Sequence, residues 1–169
     1  MPYVYTTKQG VLNALNSGKI NSIAQIDDPL RADKRLMEAV LPSIADKNPR
    51  EVFMRGIHSE ALKADKDFAL KVCKVDGRNL ASFSPELRAD KDVVLTAANH
   101  DYHTIQQCRG RDIDPTLLED KSFVKQLLDL RMDDVFQFAS EEIRADKDIA
   151  MQAIDVNPRQ YKYMSPELQ

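Results

Sequence analysis

Tryptophan is missing from this chain of 169 residues, cysteine occurs twice and glycine five times. Cys73 and Cys108 are too few for a disulfide framework and neither belongs to a C-x-x-C pair, so the cytoplasm, a reducing compartment, is the expected location. The scattered glycines form no phosphate-cradling loop, and H-E-x-x-H and G-x-S-x-G do not occur, so no cofactor is implied. Charge of one sign is not in excess either. Lys plus Arg number 24 against 27 Asp plus Glu, a net charge of -3, which gives no global field for a phosphate backbone and excludes nucleic acid as the main partner. No window approaches the roughly 18 apolar residues of a membrane span, and MPYVYTTKQGVLNAL lacks the apolar core of a secretory signal, so membrane insertion is not expected. Secretion into a host cell cytosol by a specialised bacterial system needs no such segment. What is present, 43% hydrophobic and 30% charged residues, suits a soluble, charge-rich helical protein with a core.

The chain repeats itself. LRADK occurs at 30–34 and 87–91, LKADK at 62–66, IRADK at 143–147 and a weaker LLEDK at 117–121. The Asp of each copy, Asp33, Asp65, Asp90, Asp120 and Asp146, follows the previous one by 32, 25, 30 and 26 residues, so a unit has about 25 residues with insertions. One step back from Asp33, TTKQGVLNAL aligns with ADKDFALKVC and places the first unit at Thr7. The predicted units are 7–32, 33–64, 65–89, 90–119, 120–145 and 146–169, with insertions assigned to 42–47 and 109–114.

Each Asp stands where a helix should begin, since its carboxylate can accept from the free N–H groups of the first turn and suits the positive end of the dipole. Thr7 can do the same. Apolar residues follow at helical spacing, as in Phe68, Ala69, Val72 and Cys73, or Ile149, Ala150, Ala153 and Ile154. A turn such as DGRN or NPRQ comes next, then a shorter helix carrying Leu80 and Phe83, and then Ser84-Pro85-Glu86, a Ser cap with Pro at the first helical position. A unit this small buries no core alone, so neighbours must stack. The predicted fold is all-α, a solenoid-like array of short helical hairpins.

The strings SPELRADKDVVLTAA and EEIRADKDIAMQAI closely resemble a repeat family known as a domain of unknown function, found in tandem arrays in amoeba-associated intracellular bacteria, including Legionella-type secreted effectors, and in some protists. The resemblance spans most of the chain. It implies a helical repeat and supplies no catalytic residues.

Chemistry has few footholds. His100, His103 and Cys108 can offer nitrogen and sulfur ligands to zinc, or a Cys–His nucleophile pair, if the intervening turn folds back. The repeat register favours the plainer reading of a polar turn and a core cysteine. Arg31, Lys63, Arg88 and Arg144 recur at one position of the unit, and pairing with a capping Asp or with helix C-terminal carbonyls of adjacent units is favoured over a basic face for an acidic partner. Features that break the repeat are better candidates for function. The segment 108–114, CRGRDID, with Tyr102 and His103 in the preceding turn, is the clearest, and Tyr102, His103, Arg109 and Arg111 are the expected partner-binding residues, with no catalytic or metal site assigned. The function expected is a non-enzymatic protein-interaction or scaffolding module for an unidentified protein, such as a host protein. A Cys/His or metal-dependent enzyme and a structural spacer within a longer chain are the alternatives.

Overall fold

Every long helix begins at a side chain that accepts from the N–H groups of its own first turn. The computed structural model describes residues 3–47, 59–99 and 109–169, and among these it is all-α with one isolated bridge, Tyr5 to Ile26. The helices are α1 (Lys8–Asn16), α2 (Asp28–Arg31), α3 (Lys34–Lys47), α4 (Glu60–Lys63), α5 (Lys66–Val75), α6 (Pro85–Arg88), α7 (Lys91–Ala98), α8 (Lys121–Asp129), α9 (Glu141–Arg144) and α10 (Lys147–Val156). The Thr7 hydroxyl accepts from Gly10 N at 3.1 Å, Asp33 from Leu36 N at 3.0 Å and Asp65 from Phe68 N at 2.9 Å. Asp90, Asp120 and Asp146 each accept from two N–H groups, the pair for Asp90 being Asp92 and Val93 at 3.0 and 3.2 Å. The caps expected from the pentapeptides are all in place.

Three and four residues after each cap, and again at seven and eight, the side chains turn inward. Phe68, Ala69, Val72 and Cys73 of α5 are buried, as are Val93, Val94, Ala97 and Ala98 of α7 and Phe123, Val124, Leu127 and Leu128 of α8. This is the 3.6-residue stripe. The segment after the long helix is tighter than an α-helix: Gly77–Ser82, Phe136–Phe138 and Pro158–Tyr163 are 3-10 turns. Short capped helices then close the units, Ser84 accepting from Leu87 N at 3.5 Å and Ser140 from Ile143 N at 3.4 Å.

Two helix ends use the left-handed region. Gly18 (φ 66°) follows α1 and Arg131 (φ 59°) follows α8. In both, paired backbone bonds close the end, from Lys19 N to Ala14 O and Gly18 N to Leu15 O, and from Met132 N to Leu127 O and Arg131 N to Leu128 O. The second case puts a β-carbon where glycine fits better.

Successive long helices pack on one another, α1 on α3, α3 on α5, α5 on α7 and α8 on α10. A backbone bond marks the junctions. The N–H of the residue capping the short helix reaches a carbonyl of the preceding unit, Ser84 to Lys63, Asp114 to Arg88, Ser140 to Leu118 and Ser165 to Arg144, and in the first unit Asp27 reaches Tyr5 just before it, all at 3.0 to 3.2 Å.

Both insertion assignments are corrected. Residues 42–47 are helical and complete α3 with Pro42 inside it, because the stripe Leu36, Met37, Val40, Leu41 continues to buried Ile44. Residues 109–114 are not extra sequence before the capped turn. Asp114 is that turn's cap, accepting from Thr116 N at 3.0 Å, and Ile113, 2% exposed, takes the place of Phe83. The interval from Asp90 to Asp114 is 24 residues against 19 from Asp65 to Ser84, and the surplus falls before Gly110.

Candidate functional site

Charged side chains recur in every unit, and their geometry decides whether they are free for a partner. Lysine directly after each cap reaches the cap of the following unit. Lys8 meets Asp33 at 2.7 Å, Lys34 meets Asp65 at 2.7 Å, Lys66 meets Asp90 at 2.8 Å, Lys91 meets Asp120 at 2.6 Å and Lys121 meets Asp146 at 3.4 Å. Lys91 also lies 5.3 Å from the Phe123 ring centroid, a cation on the face of the next unit's core residue. Each Asp therefore does two things at once, closing its own helix and holding the preceding unit.

The titration directions agree. Lys8 beside it, with help from the Leu36 N–H, holds the Asp33 carboxyl below its usual value, and Lys34 and the Phe68 N–H do the same for Asp65. Burial pushes Asp90 the other way, but Lys66 and the Val93 N–H outweigh it. Lys91 and Ser122 lower Asp120, while the Ile149 N–H and then Lys121 lower Asp146. Asp65, Asp90 with Asp92, and Glu142 with Asp146 raise Lys34, Lys66 and Lys121.

At the recurring Arg position, Thr116 and, as expected, nearby Arg88 lower the carboxyl of the cap Asp114, while the contacts of Arg31 and Lys63 stay inside their units. Arg31 donates to Ile26 O at 2.7 Å and pairs with Asp28, and Lys63 pairs with Glu60, all within their own units. The ion pair with a neighbouring cap is made by the Lys three residues further on, which sequence reasoning missed although the Asp-Lys dipeptide was visible in every copy.

The turn Gly110–Asp112 stands where other units carry their 3-10 turn, and it belongs to the part of the segment 108–114 that the structure describes. Gly110 is buried, and its N–H donates to Asp134 Oδ1 at 3.0 Å. A β-carbon there would lie 2.6 Å from Phe138 Cδ2 and 3.1 Å from Val135 Cα, so only glycine allows this approach. Arg109 N donates to Asp112 Oδ2 at 3.2 Å and shapes the turn. Burial, with Asp133 and Asp112 nearby, raises the Asp134 carboxyl above its usual value. Arg109 and Arg111 remain exposed on either side of the anchored glycine, and Arg111 is 3.9 Å from Asp112. Phe138, against Gly110, is 39% exposed. Neither Gly110 nor Phe138 was singled out by the sequence. Tyr102 and His103, expected beside these arginines, lie outside the described residues, as do His100 and Cys108.

Cys73 is fully buried on α5, and burial pushes its thiol up to about 12, so it holds no thiolate near neutrality. Among the described residues no three His, Cys, Asp or Glu side chains group as metal ligands, and no helix is long and apolar enough to cross a membrane. A shallow groove between α3 and α5 is lined by Lys34, Arg35, Glu38, Asp67, Leu70 and Lys71, with Lys71 and Glu38 joined at 2.8 Å.

A family model described as a domain of unknown function (DUF4116) matches residues 65–109 and 120–169. Neither a curated protein nor a solved structure matches the chain.

Proposed function

The chain belongs to the DUF4116 family, and from that premise we propose that it is a non-enzymatic protein-binding module, a solenoid of stacked helical units that presents unit-specific side chains to a protein partner. Repeated charges are consumed at the junctions between units, which leaves recognition to residues that break the pattern. The observation that carries this reading is the turn around Gly110. It is fastened to the next unit through Asp134, and it holds Arg109 and Arg111 in solvent beside the half-exposed Phe138. Two guanidinium forks and an aromatic ring on a rigid support suit a surface carrying carboxylates and an apolar recess. Rigidity matters because ordering mobile side chains weakens binding.

The test is affinity capture from an amoebal cell lysate with three forms of the chain: the native sequence, Arg109→Ala with Arg111→Ala, and Lys125→Ala with Lys74→Ala, which alters exposed helix faces. The reading expects the first double variant alone to lose the captured protein while its helical circular dichroism and melting temperature stay unchanged. Loss of capture through the helix-face variant, with full retention by the arginine variant, overturns it.

A further inference from the structure

The units differ in how their long helices end. Eleven residues after the cap, α5 and α10 leave the helix on extended residues, Asp76 (φ -153°) and Asn157 (φ -148°), and the spans from Asp65 to Ser84 and from Asp146 to Ser165 are both 19 residues. In α1 and α8 the same position is left-handed, Gly18 (φ 66°) and Arg131 (φ 59°), and the spans from Thr7 to Asp27 and from Asp120 to Ser140 are 20 residues. One extra residue is turned through the left-handed region. Glycine does this without strain, whereas the β-carbon of an arginine is crowded there. The first unit uses the glycine, and the fifth carries the arginine.

Its side chain makes no ion pair within the described fold. Arg131 is exposed, and no carboxylate among the described residues pairs with it, although Asp129 and Asp133 stand two residues away on either side and Asp129 accepts instead from Gln152 at 2.7 Å. The backbone beneath it is locked, because Arg131 N donates to Leu128 O and the N–H of buried Met132 to Leu127 O. Three residues on, Asp134 accepts from Gly110 N at 3.0 Å, so Arg131 rides on the turn that fastens Arg109 and Arg111. We infer that Arg131 is a further partner-binding residue, whose guanidinium receives a carboxylate of an acidic protein segment. The inference rests on the recognition surface proposed above. Strain kept under an exposed charged side chain, where glycine would relieve it, marks a residue that serves binding at the expense of stability. The acidic occupant follows from charge: Arg109, Arg111 and Arg131 are all exposed, while of the three acids in the two turns, Asp112, Asp133 and Asp134, only Asp133 is.

The experiment titrates the full chain at low salt into a fluorescein-labelled peptide, Glu-Glu-Leu-Glu-Glu, with Gln-Gln-Leu-Gln-Gln as the uncharged control, and follows anisotropy. Saturable binding is expected for the first peptide alone. Arg131→Gly weakens it about two- to fivefold, as for an exposed ion pair. Arg131→Lys, which keeps the charge and loses the planar fork, weakens it less. In thermal melts Arg131→Gly unfolds about 2 °C above the native chain, so its loss of binding does not come from loss of fold. No saturable binding, binding indifferent to Arg131→Gly, or a lower melting temperature for that variant, which would assign the arginine to the negative end of α8, overturns the inference. The Arg109→Ala, Arg111→Ala chain separates it from the reading on which it rests. Weakening by that pair with no effect of Arg131→Gly overturns this inference alone, and weakening by Arg131→Gly with no effect of the pair upholds it and overturns the reading of the Arg109 and Arg111 turn.

Discussion

Replacing Asp90 separates the two tasks assigned to each cap. Its carboxylate accepts from Asp92 N and Val93 N at 3.0 and 3.2 Å and pairs with Lys66 at 2.8 Å. Asp90→Ala removes all three contacts. Loss of an N-cap costs about 1 kcal/mol. The ion pair adds about 0.2 to 0.5 kcal/mol, discounted because the Lys66 and Asp90 side chains are 43% and 25% exposed and solvent screens them. Asp90→Ser keeps an oxygen acceptor at the cap and discards the charge, so its cost is about 0.5 kcal/mol. A difference of about 1 kcal/mol corresponds to roughly 2 to 4 °C in a chain of this size. Thermal melts followed by circular dichroism at low and high salt read it directly. The Ser variant should lie closer to the native protein, and as salt rises both deficits should shrink by the same ion-pair share, leaving the Ala variant its cap loss. Equal losses for Ala and Ser would show that the cap bond contributes nothing and that the helix start is set by packing alone. A Lys66→Met variant, combined with Asp90→Ala, should show less than additive loss, since both remove one pair.

Four further outcomes follow from the geometry. Arg131→Gly should raise the melting temperature by about 2 °C, because relief of a left-handed φ, worth roughly 1 to 2 kcal/mol, exceeds the added backbone entropy of about 0.5 to 1 kcal/mol; a lower melting temperature refutes it. Gly110→Ala should cost about 1 to 3 kcal/mol in urea unfolding, since its β-carbon meets the Val135 and Asp134 backbone at 3.1 and 3.2 Å as well as the Phe138 ring; a neutral result would mean the turn is not locked. The caps Asp33, Asp65, Asp90, Asp120 and Asp146 titrate below their ordinary value, so their stabilisation is present above about pH 4 and is lost as pH falls through the folded values, while raised Lys34, Lys66 and Lys121 stabilise below about pH 10 and lose this as pH rises through theirs. Melting temperature against pH should therefore be a plateau with a fall at each end, and a flat acid limb down to pH 2 contradicts the paired caps. In a Cys108→Ser background, Cys73 should resist a thiol-specific disulfide reagent until denaturant unfolds α5; rapid modification of the folded chain would place the thiol in solvent.

How much was legible depends on whether a feature is local. An N-cap and the stripe behind it are fixed by one helix's own hydrogen bonds and by 3.6 residues per turn, so Asp65 with Phe68, Ala69, Val72 and Cys73 could be assigned from a single stretch. Asp114-Pro115 was obscured because it is the Ser84-Pro85 turn in other letters. Asp and Ser are interchangeable as short acceptors and Pro opens the first turn in both, so chemistry equates what spelling separates. Pro42 read as a boundary, yet an exposed proline is carried inside α3 because Leu41 and Ile44 on either side are buried, and their burial outweighs one lost backbone bond. The lysine after each cap lay furthest from local reasoning. Within its own unit it points at nothing, and its partner lies about one repeat away, 24 residues for Lys66 and Asp90, 31 for Lys34 and Asp65. Spacing that varies this much hides the pairing from any fixed period, while the stacked helices bring each Lys–Asp pair within 3.4 Å. A residue repeated in every unit without a partner inside it is therefore best assigned to the junction, and exposed side chains such as Arg109 and Arg111, which no junction uses, to recognition.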